Sequence, residues 1–281
     1  MQTPSATWRL SLATRRVRQT LTRFENGPSV LAGIVGSRIR HKPTELTYRV
    51  DDGLSIICPN LPGARVPIYE VFADDAYHLE WFTSDLGDDP RAVDIGGHIG
   101  CFSLAFARQH PRGRVETFEA SPSTAAYTIR NMALNGFDDR VTVHHAAVSS
   151  SSGTLQFADN AGGSGLNGLT APEGTPTIEV PAVTLVEAFA SADGPVDVVK
   201  IDTEGAEYDI VLASDPSDWS DVQRVVMEYH PVDGHSWDEL QTFFSKAGLE
   251  VVHQELGLFT DRLGTAWLSR TPLPTPLFDS R

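Results

Sequence analysis

The sequence predicts an α/β protein built on a mostly parallel sheet with helices on both faces. From Ala92 onward, β-branched runs alternate with helical patterns, the order that parallel strands joined by crossover helices require. The run Val93-Asp94-Ile95-Gly96-Gly97-His98-Ile99-Gly100-Cys101-Phe102-Ser103-Leu104 reads as a buried strand, a glycine-rich turn and the opening of a helix. Glu119 closes the next apolar run about twenty residues on, the spacing of a nucleotide-type pocket at the carboxyl end of such a sheet.

The elements follow in chain order. Residues 5–24 place Trp8, Leu12, Val17, Leu21 and Phe24 at roughly helical spacing. Asn26-Gly27-Pro28 punctuates that helix, and a second short one covers 29–39. Leu46 to Val50 and Leu54 to Cys58 flank Asp51-Asp52-Gly53 and form a hairpin; Pro59 and Pro62 end it. Residues 66–85 form a helical, aromatic-rich segment whose Tyr69, Phe72, Trp81 and Phe82 belong to the core. Core strands fall near 92–95, 115–119, 141–145, 196–201 and 223–229. Between the second and third, Ser121 is an N-cap and Pro122 the first helical residue. Ala126, Ile129 and Ala133 follow at core spacing, and Asn135-Gly136 stops the helix. The alternation lapses over 149–181: two short strands, 153–157 and 177–180, flank a loop from Asp159 to Pro176, within which Asn160 to Gly168 could form a substrate lid. Residues 249–253 and 266–269 close the sheet as antiparallel strands. Residues 1–65 are an extension of helices and a hairpin, 66–270 the main domain and 271–281 an irregular tail.

Bulk properties narrow the function. A chain of 281 residues, 41% hydrophobic and 21% charged, has the composition of a soluble globular protein. No apolar run approaches the roughly 20 residues of a bilayer span, and no secretory pattern opens the chain, so a cytoplasmic setting and no membrane span are expected. Cys58 and Cys101 stand far apart, as small buried residues rather than a disulfide or zinc pair. The net charge of −15 is uneven. Residues 1–45 carry eight basic and two acidic residues, +6, which leaves −21 on the body. An acidic body repels phosphate backbones, so no nucleic-acid partner is expected. The basic leader reads as a solvated helix face, and its helices could pair two subunits into a homo-oligomer.

Gly96, Gly97 and Gly100 let the backbone turn tightly against a ligand, and free N–H groups at the helix start would favour an anionic or carboxylate group. Asp94 could accept from a ligand ammonium or anchor the loop; Glu119 could accept both hydroxyls of a ribose. The glycines fit D-x-G-x-x-x-G, which suits an amino acid plus one nucleoside, rather than the G-x-G-x-x-G of dinucleotide sites. That spacing speaks against an NAD-dependent oxidoreductase. A second constellation, Val196 to Glu207, delivers Asp202, Glu204 and Glu207 to the sheet edge, where isolated buried charge is costly. Asp202 and Glu204 read either as site residues or as capping groups, and Glu207 as a helix-surface charge. His144 and His145 point to opposite faces of one strand and share no metal.

Val93 to Leu104, Phe118-Glu119-Ala120-Ser121-Pro122, Arg130 to Gly136, Thr184-Leu185 and Lys200-Ile201-Asp202-Thr203-Glu204-Gly205-Ala206-Glu207 together resemble the FkbM family of S-adenosylmethionine-dependent methyltransferases, over about residues 66–256. The resemblance implies a Rossmann-like class I methyltransferase fold with a seven-stranded sheet. It also implies O-methylation of a hydroxyl on a small natural product or sugar. By resemblance, Asp94 and the Gly96, Gly97, Gly100 turn hold the methionine end, with His98 where the family often has Asn and Ser103 nearby. Glu119 and Ala120 meet the ribose, Ala146 and Ala147 lie near adenine, and Asp202 lies beside the transferable methyl. In-line displacement by an alcohol profits from positioning and from a base. His230, on the strand after the acidic run, titrates in a suitable range, with Asp202 and Glu204 beside it. Alternatively, Asp202, Glu204, Glu228 and His230 converge on Mg²⁺. A methyltransferase-like module that binds the cofactor without turnover is the remaining rival.

Overall fold

The computed structural model describes residues 6–40, 45–159, 177–257 and 260–275. The chain opens with α1 (Ala6–Arg23) and α2 (Gly27–Arg40), a hairpin of β1 (Glu45–Arg49) and β2 (Ser55–Pro59), then α3 (Pro62–Phe72) and α4 (Leu79–Phe82). Alternation follows: β3 (Arg91–Ile95), α5 (Cys101–Gln109), β4 (Arg114–Glu119), α6 (Pro122–Asn135) and β5 (Val141–His145). Next come β6 (Ala147–Val148), β7 (Gly153–Ala158), β8 (Thr177–Val183), α7 (Leu185–Ala190), β9 (Val198–Ile201) and α8 (Glu207–Leu212). The chain ends with β10 (Arg224–Tyr229), α9 (Trp237–Lys246), β11 (Glu250–Gly257) and β12 (Thr260–Ser269).

Seven strands form one sheet in the order β11-β12-β10-β9-β3-β4-β5. β10, β9, β3, β4 and β5 run parallel, and β12 and β11 close it antiparallel. The chain leaves β3 toward β4 on one side and returns to β9 on the other. That places a switch point at the carboxyl ends of β3 and β9, where open α/β sheets bind ligands. Alternate residues feed two cores: Val199, Ile201 and Met227 pack with Leu240 and Phe244 of α9, whereas Val198 and Val226 pack with Phe102 and Phe106 of α5 and Ile68 of α3. Both faces are therefore covered, as the alternating sequence requires.

Two sequence readings change. The segment 66–85 is two helices, not one: Asp75 and His78 adopt left-handed backbone (φ 50° and 48°) between α3 and α4, which no continuous helix tolerates. Ala126, Ile129 and Ala133 of α6 face solvent. Its buried face is instead Thr124, Ala125, Thr128, Asn131 and Met132. Asn131 donates to Ile57 O and Ile99 O and accepts from Ile57 N, and Asn135 bridges Ser55 N and O. A helix face buried by hydrogen bonding to the hairpin carries no apolar period. The expected loop 160–176 and the end of the tail lie outside the described residues.

The basic leader finds an acid on its own chain. Arg15 and Arg16 pair with Asp74 at 2.6 and 2.8 Å, Gln19 donates to the same carboxylate, and the Arg16 guanidinium lies 4.7 Å over the Tyr69 ring. Helix α1 thus clamps the end of α3, which roofs the switch point.

Candidate active site

A cavity of about 350 Å³ opens at the switch point. Its floor is Ile95, Gly96 and Asp202, at the ends of β3 and β9. Gly96 is required here twice over. Its φ is +78°, and a Cβ would stand 1.8 Å from the carbonyl oxygen of Asp202. Gly100 is similarly bound: at φ +86°, a Cβ would meet Met132 and Thr128 at 2.6 and 2.8 Å.

The glycine loop is tied to protein rather than left open. Gly96 N and Gly97 N both donate to Phe118 O, Gly100 N donates to Gly97 O, and His98 N donates to Glu119 Oε2 at 2.7 Å. The amide cradle for an anion that the sequence suggested is therefore not formed by these four groups. Beneath the loop, Lys200 is buried. Its ammonium donates to Gly96 O at 2.6 Å and Ile95 O at 3.3 Å and pairs with Asp94 at 3.2 Å. Asp94 also accepts from Ser103 Oγ at 2.6 Å. Asp94, Gly97, Gly100 and Ser103 are not among the residues that line the cavity; Asp94 and Ser103 anchor the loop from below.

Gly96, His98, Glu119, Ala120 and Ala147 of the expected cofactor set do line it, with Ala146. Glu119 Oε1 accepts from Ser121 N and Thr124 Oγ1, each at 2.8 Å. Burial raises its pKa, while these donors favour the ionised form. Burial and the nearby Lys200 hold His98 down to about 4, so its ring is neutral. The His98 Nδ1 is buried with no protein partner among the described residues.

The opposite side is acidic. Asp202, Glu204 and Glu228 line it, joined by Glu70 from α3. Burial, reinforced by Asp202, pushes Glu70 up to about 7 and Glu228 well above the usual carboxylate range. Burial also raises Asp202, opposed by Lys200 and His230. Gly63, Val66 and Pro67 of the α3 segment form the apolar wall. Glu70 escaped the sequence reading because nothing local marks it; it reaches the site only through the packing of α3.

His230 stands beside Glu204 and Glu228 but is not among the residues that line the cavity. Its Nδ1 lies 3.1 Å from Glu207 Oε1, and its Nε2 lies 3.4 Å from Glu204 and 3.7 Å from Glu228. Burial favours the neutral ring, but the Glu207 hydrogen bond and the surrounding carboxylates outweigh it and raise His230 to about 10. Glu207 is not the helix-surface charge the sequence suggested. It is fully buried and accepts from Thr203 N, Thr203 Oγ1 and Gly205 N at 3.0, 3.0 and 3.1 Å. It organises the turn that holds Glu204 at φ +58°. His144 and His145 take separate partners, Glu116 and Ala120 O.

Comparison with known proteins gives this arrangement its family. A methyltransferase FkbM domain model matches residues 94–251. A methyltransferase of Sordaria araneosa, sdnD, is 30% identical over 193 residues, 57% of this chain and 72% of that protein. The 31-O-demethyl-FK506 methyltransferase FkbM of Streptomyces tacrolimicus is 27% identical over 244 residues, 76% of this chain and 92% of that protein. Among solved structures, the METTL16 MTase domain is similar in fold, with a TM-score of 0.50 at 12% identity over 79% of this chain and 75% of that one. An FkbM methyltransferase of Methylobacillus flagellatus KT aligns with a TM-score of 0.48 at 14% identity over 68% of this chain, which spans only 47% of that one. The domain model and the two methyltransferase relatives decide against the NAD-dependent oxidoreductase. With more than half of its length matched by the domain model, and with a Rossmann-like seven-stranded sheet, the chain belongs to the FkbM methyltransferase family.

Proposed function

We propose that the protein transfers a methyl group from S-adenosylmethionine to a hydroxyl of a small natural product or sugar. The observation that carries this reading is the division of one cavity into two sides, with Gly96, His98 and Glu119 on one and four carboxylates on the other. Phe118, Ala146 and Ala147 would hold the donor's adenosyl part, Glu119 its ribose and His98 its amino-acid part, with Asp202 on the side of the sulfonium. The O-demethyl compound in the name of the Streptomyces relative supports a hydroxyl acceptor. The acidic wall favours a neutral or cationic one over nucleic acid.

An alcohol proton must leave as the carbon–oxygen bond forms, and a group with a free lone pair must take it. His230, raised to about 10, is already protonated at neutral pH, so we assign it to positioning, as the cation that holds Glu204 and Glu228. Asp202 takes the proton: burial raises its pKa and so its basicity, while Lys200 and His230 favour the ionised form that can accept. Mg²⁺ fits this set poorly. Asp202, Glu204 and His230 bring donor atoms within 4.8 Å of one another, but Mg²⁺ prefers carboxylates and water to imidazole. A cytoplasmic setting agrees with the free, buried thiols of Cys58 and Cys101, and no described helix is long and apolar enough to cross a membrane. Leu10, Val17 and Leu21 of α1 are exposed, a face on which two copies could pair.

Incubation with S-adenosylmethionine and a panel of hydroxylated metabolites tests the reading by mass spectrometry. Methylated product is expected; tight cofactor binding with every acceptor left unmodified would instead identify the silent binding module. Glu119→Gln is expected to weaken S-adenosylmethionine binding by about 1–3 kcal/mol through loss of a charged acceptor, read by calorimetry, and unchanged affinity removes Glu119 from the ribose.

The two forms of the cofactor should also differ in pH dependence. Glu70 titrates at about 7, so it is neutral below that pH and charged above it. The sulfonium of S-adenosylmethionine is a cation and S-adenosylhomocysteine is not. Affinity for the first is expected to rise about tenfold, about 1.4 kcal/mol, between pH 6 and 8, with a flatter curve for the second. Parallel curves would place the sulfonium away from the acidic wall.

A further inference from the structure

A second polar cluster lies where the connector between α3 and α4 meets the outer strand β11. His78, buried and left-handed (φ 48°), comes from the connector; His253 and Glu255 stand on one face of β11. Glu255 Oε1 lies 3.4 Å from His78 Nε2 and 3.5 Å from His253 Nε2. Hydrogen bonds of this type close to about 2.7–3.0 Å. Two ligand atoms bound to one zinc ion at about 2.0–2.1 Å in tetrahedral geometry stand about 3.4 Å apart. One donor atom from each of the three residues lies within 4.8 Å of the others.

The surroundings suit a metal as well. Asp75 Oδ2 lies 3.6 Å from His78 Nδ1, an ion-pair distance at which an outer carboxylate supports a liganding imidazole electrostatically. Trp267 walls both rings, at centroid distances of 5.5 and 4.9 Å. The side chains of His253 and Glu255 keep 14% and 20% exposure, which leaves a route of entry. None of the three residues lines the cavity, so the site stands whether or not the cavity transfers methyl groups.

We infer that His78, His253 and Glu255 form a binding site for a first-row divalent transition metal, zinc above all, that fastens the α3–α4 connector to the sheet edge. Two imidazoles and one carboxylate select zinc over Mg²⁺ or Ca²⁺ and leave a fourth position for water. The test uses the whole chain, stripped by chelator and titrated with Zn²⁺ alone. One ion per chain and a melting temperature several degrees higher are expected, and Co²⁺ in its place should show the intense visible absorption of a tetrahedral centre. His253→Ala and Glu255→Gln should each abolish stoichiometric zinc binding, Asp75→Asn should weaken it about tenfold, and His230→Ala should leave it intact. Failure of the wild-type chain to bind zinc or to shift its melting temperature overturns the assignment. So does binding that survives both β11 substitutions.

Discussion

Lys200→Met should lower the unfolding free energy by about 3–5 kcal/mol, the cost of leaving one partner of a buried ion pair uncompensated. The methionine keeps most of the stem's volume, so little of that loss comes from a cavity. What disappears is the ammonium that neutralises Asp94 and binds the carbonyls of Ile95 and Gly96. Asp94 is fully buried and keeps the Ser103 hydroxyl as a donor. At about 2–4 °C per kcal/mol for a domain of this size, the midpoint should fall by roughly 6–20 °C. The double variant Asp94→Asn, Lys200→Met removes both charges and should recover part of the loss. Thermal melts of the four proteins in that cycle measure the coupling. A single-variant loss below about 1 kcal/mol, the level of an exposed pair, would mean that solvent reaches Asp94.

The same lysine shows how far the sequence could be read. Gly96, Glu119 and Asp202 were legible because each answers a local demand: a turn closed to side chains, and acids at the ends of strands that otherwise carry apolar residues. Lys200 lay in a quoted motif, yet its partner Asp94 is on another strand, and no local pattern links the two. Glu207 was misread because an acid in the first turn of a helix has a sufficient local explanation in the helix dipole. Only the folded turn shows it accepting from Thr203 N, Gly205 N and His230. Hydrophobic periodicity failed on α6 for a related reason, since its buried side is fastened by Thr128 and Asn131 to backbone carbonyls. Glu70 was invisible because α3 reaches the acids only through tertiary packing.

That packing makes the N-terminal segment part of the cavity wall. The domain match begins at residue 94, yet Gly63, Val66, Pro67 and Glu70 line the cavity, and the Arg15 and Arg16 pairs with Asp74 hold α1 against the end of α3. The acids it faces can coexist because cations are interleaved among them: Lys200 beneath Asp202, and His230 between Glu204, Glu207 and Glu228.

Asp202→Asn should reduce turnover by about 10²–10⁴-fold, the usual worth of a positioned proton acceptor, while the affinity for S-adenosylhomocysteine stays within a few-fold. The separation of the two effects follows from geometry. The Gly96 turn packs against the backbone carbonyl of Asp202, which the substitution keeps, whereas the lost group is the side-chain carboxylate at the cavity floor. Asparagine has the same shape but no charge to receive a proton or to face the sulfonium. Single-turnover rates separate the chemical step from product release. The wild-type rate should fall on acidification as the burial-raised Asp202 moves toward its protonated form; the Asn variant should be slow and keep only the dependence near pH 7 that Glu70 imposes. Glu228→Gln should cost less, because burial and the neighbouring Asp202 disfavour the ionised form of Glu228. If Asp202→Asn instead retains turnover within about threefold while Glu228→Gln loses it, the proton goes to β10 rather than β9, and the sulfonium must lie nearer Glu228 than the cavity floor.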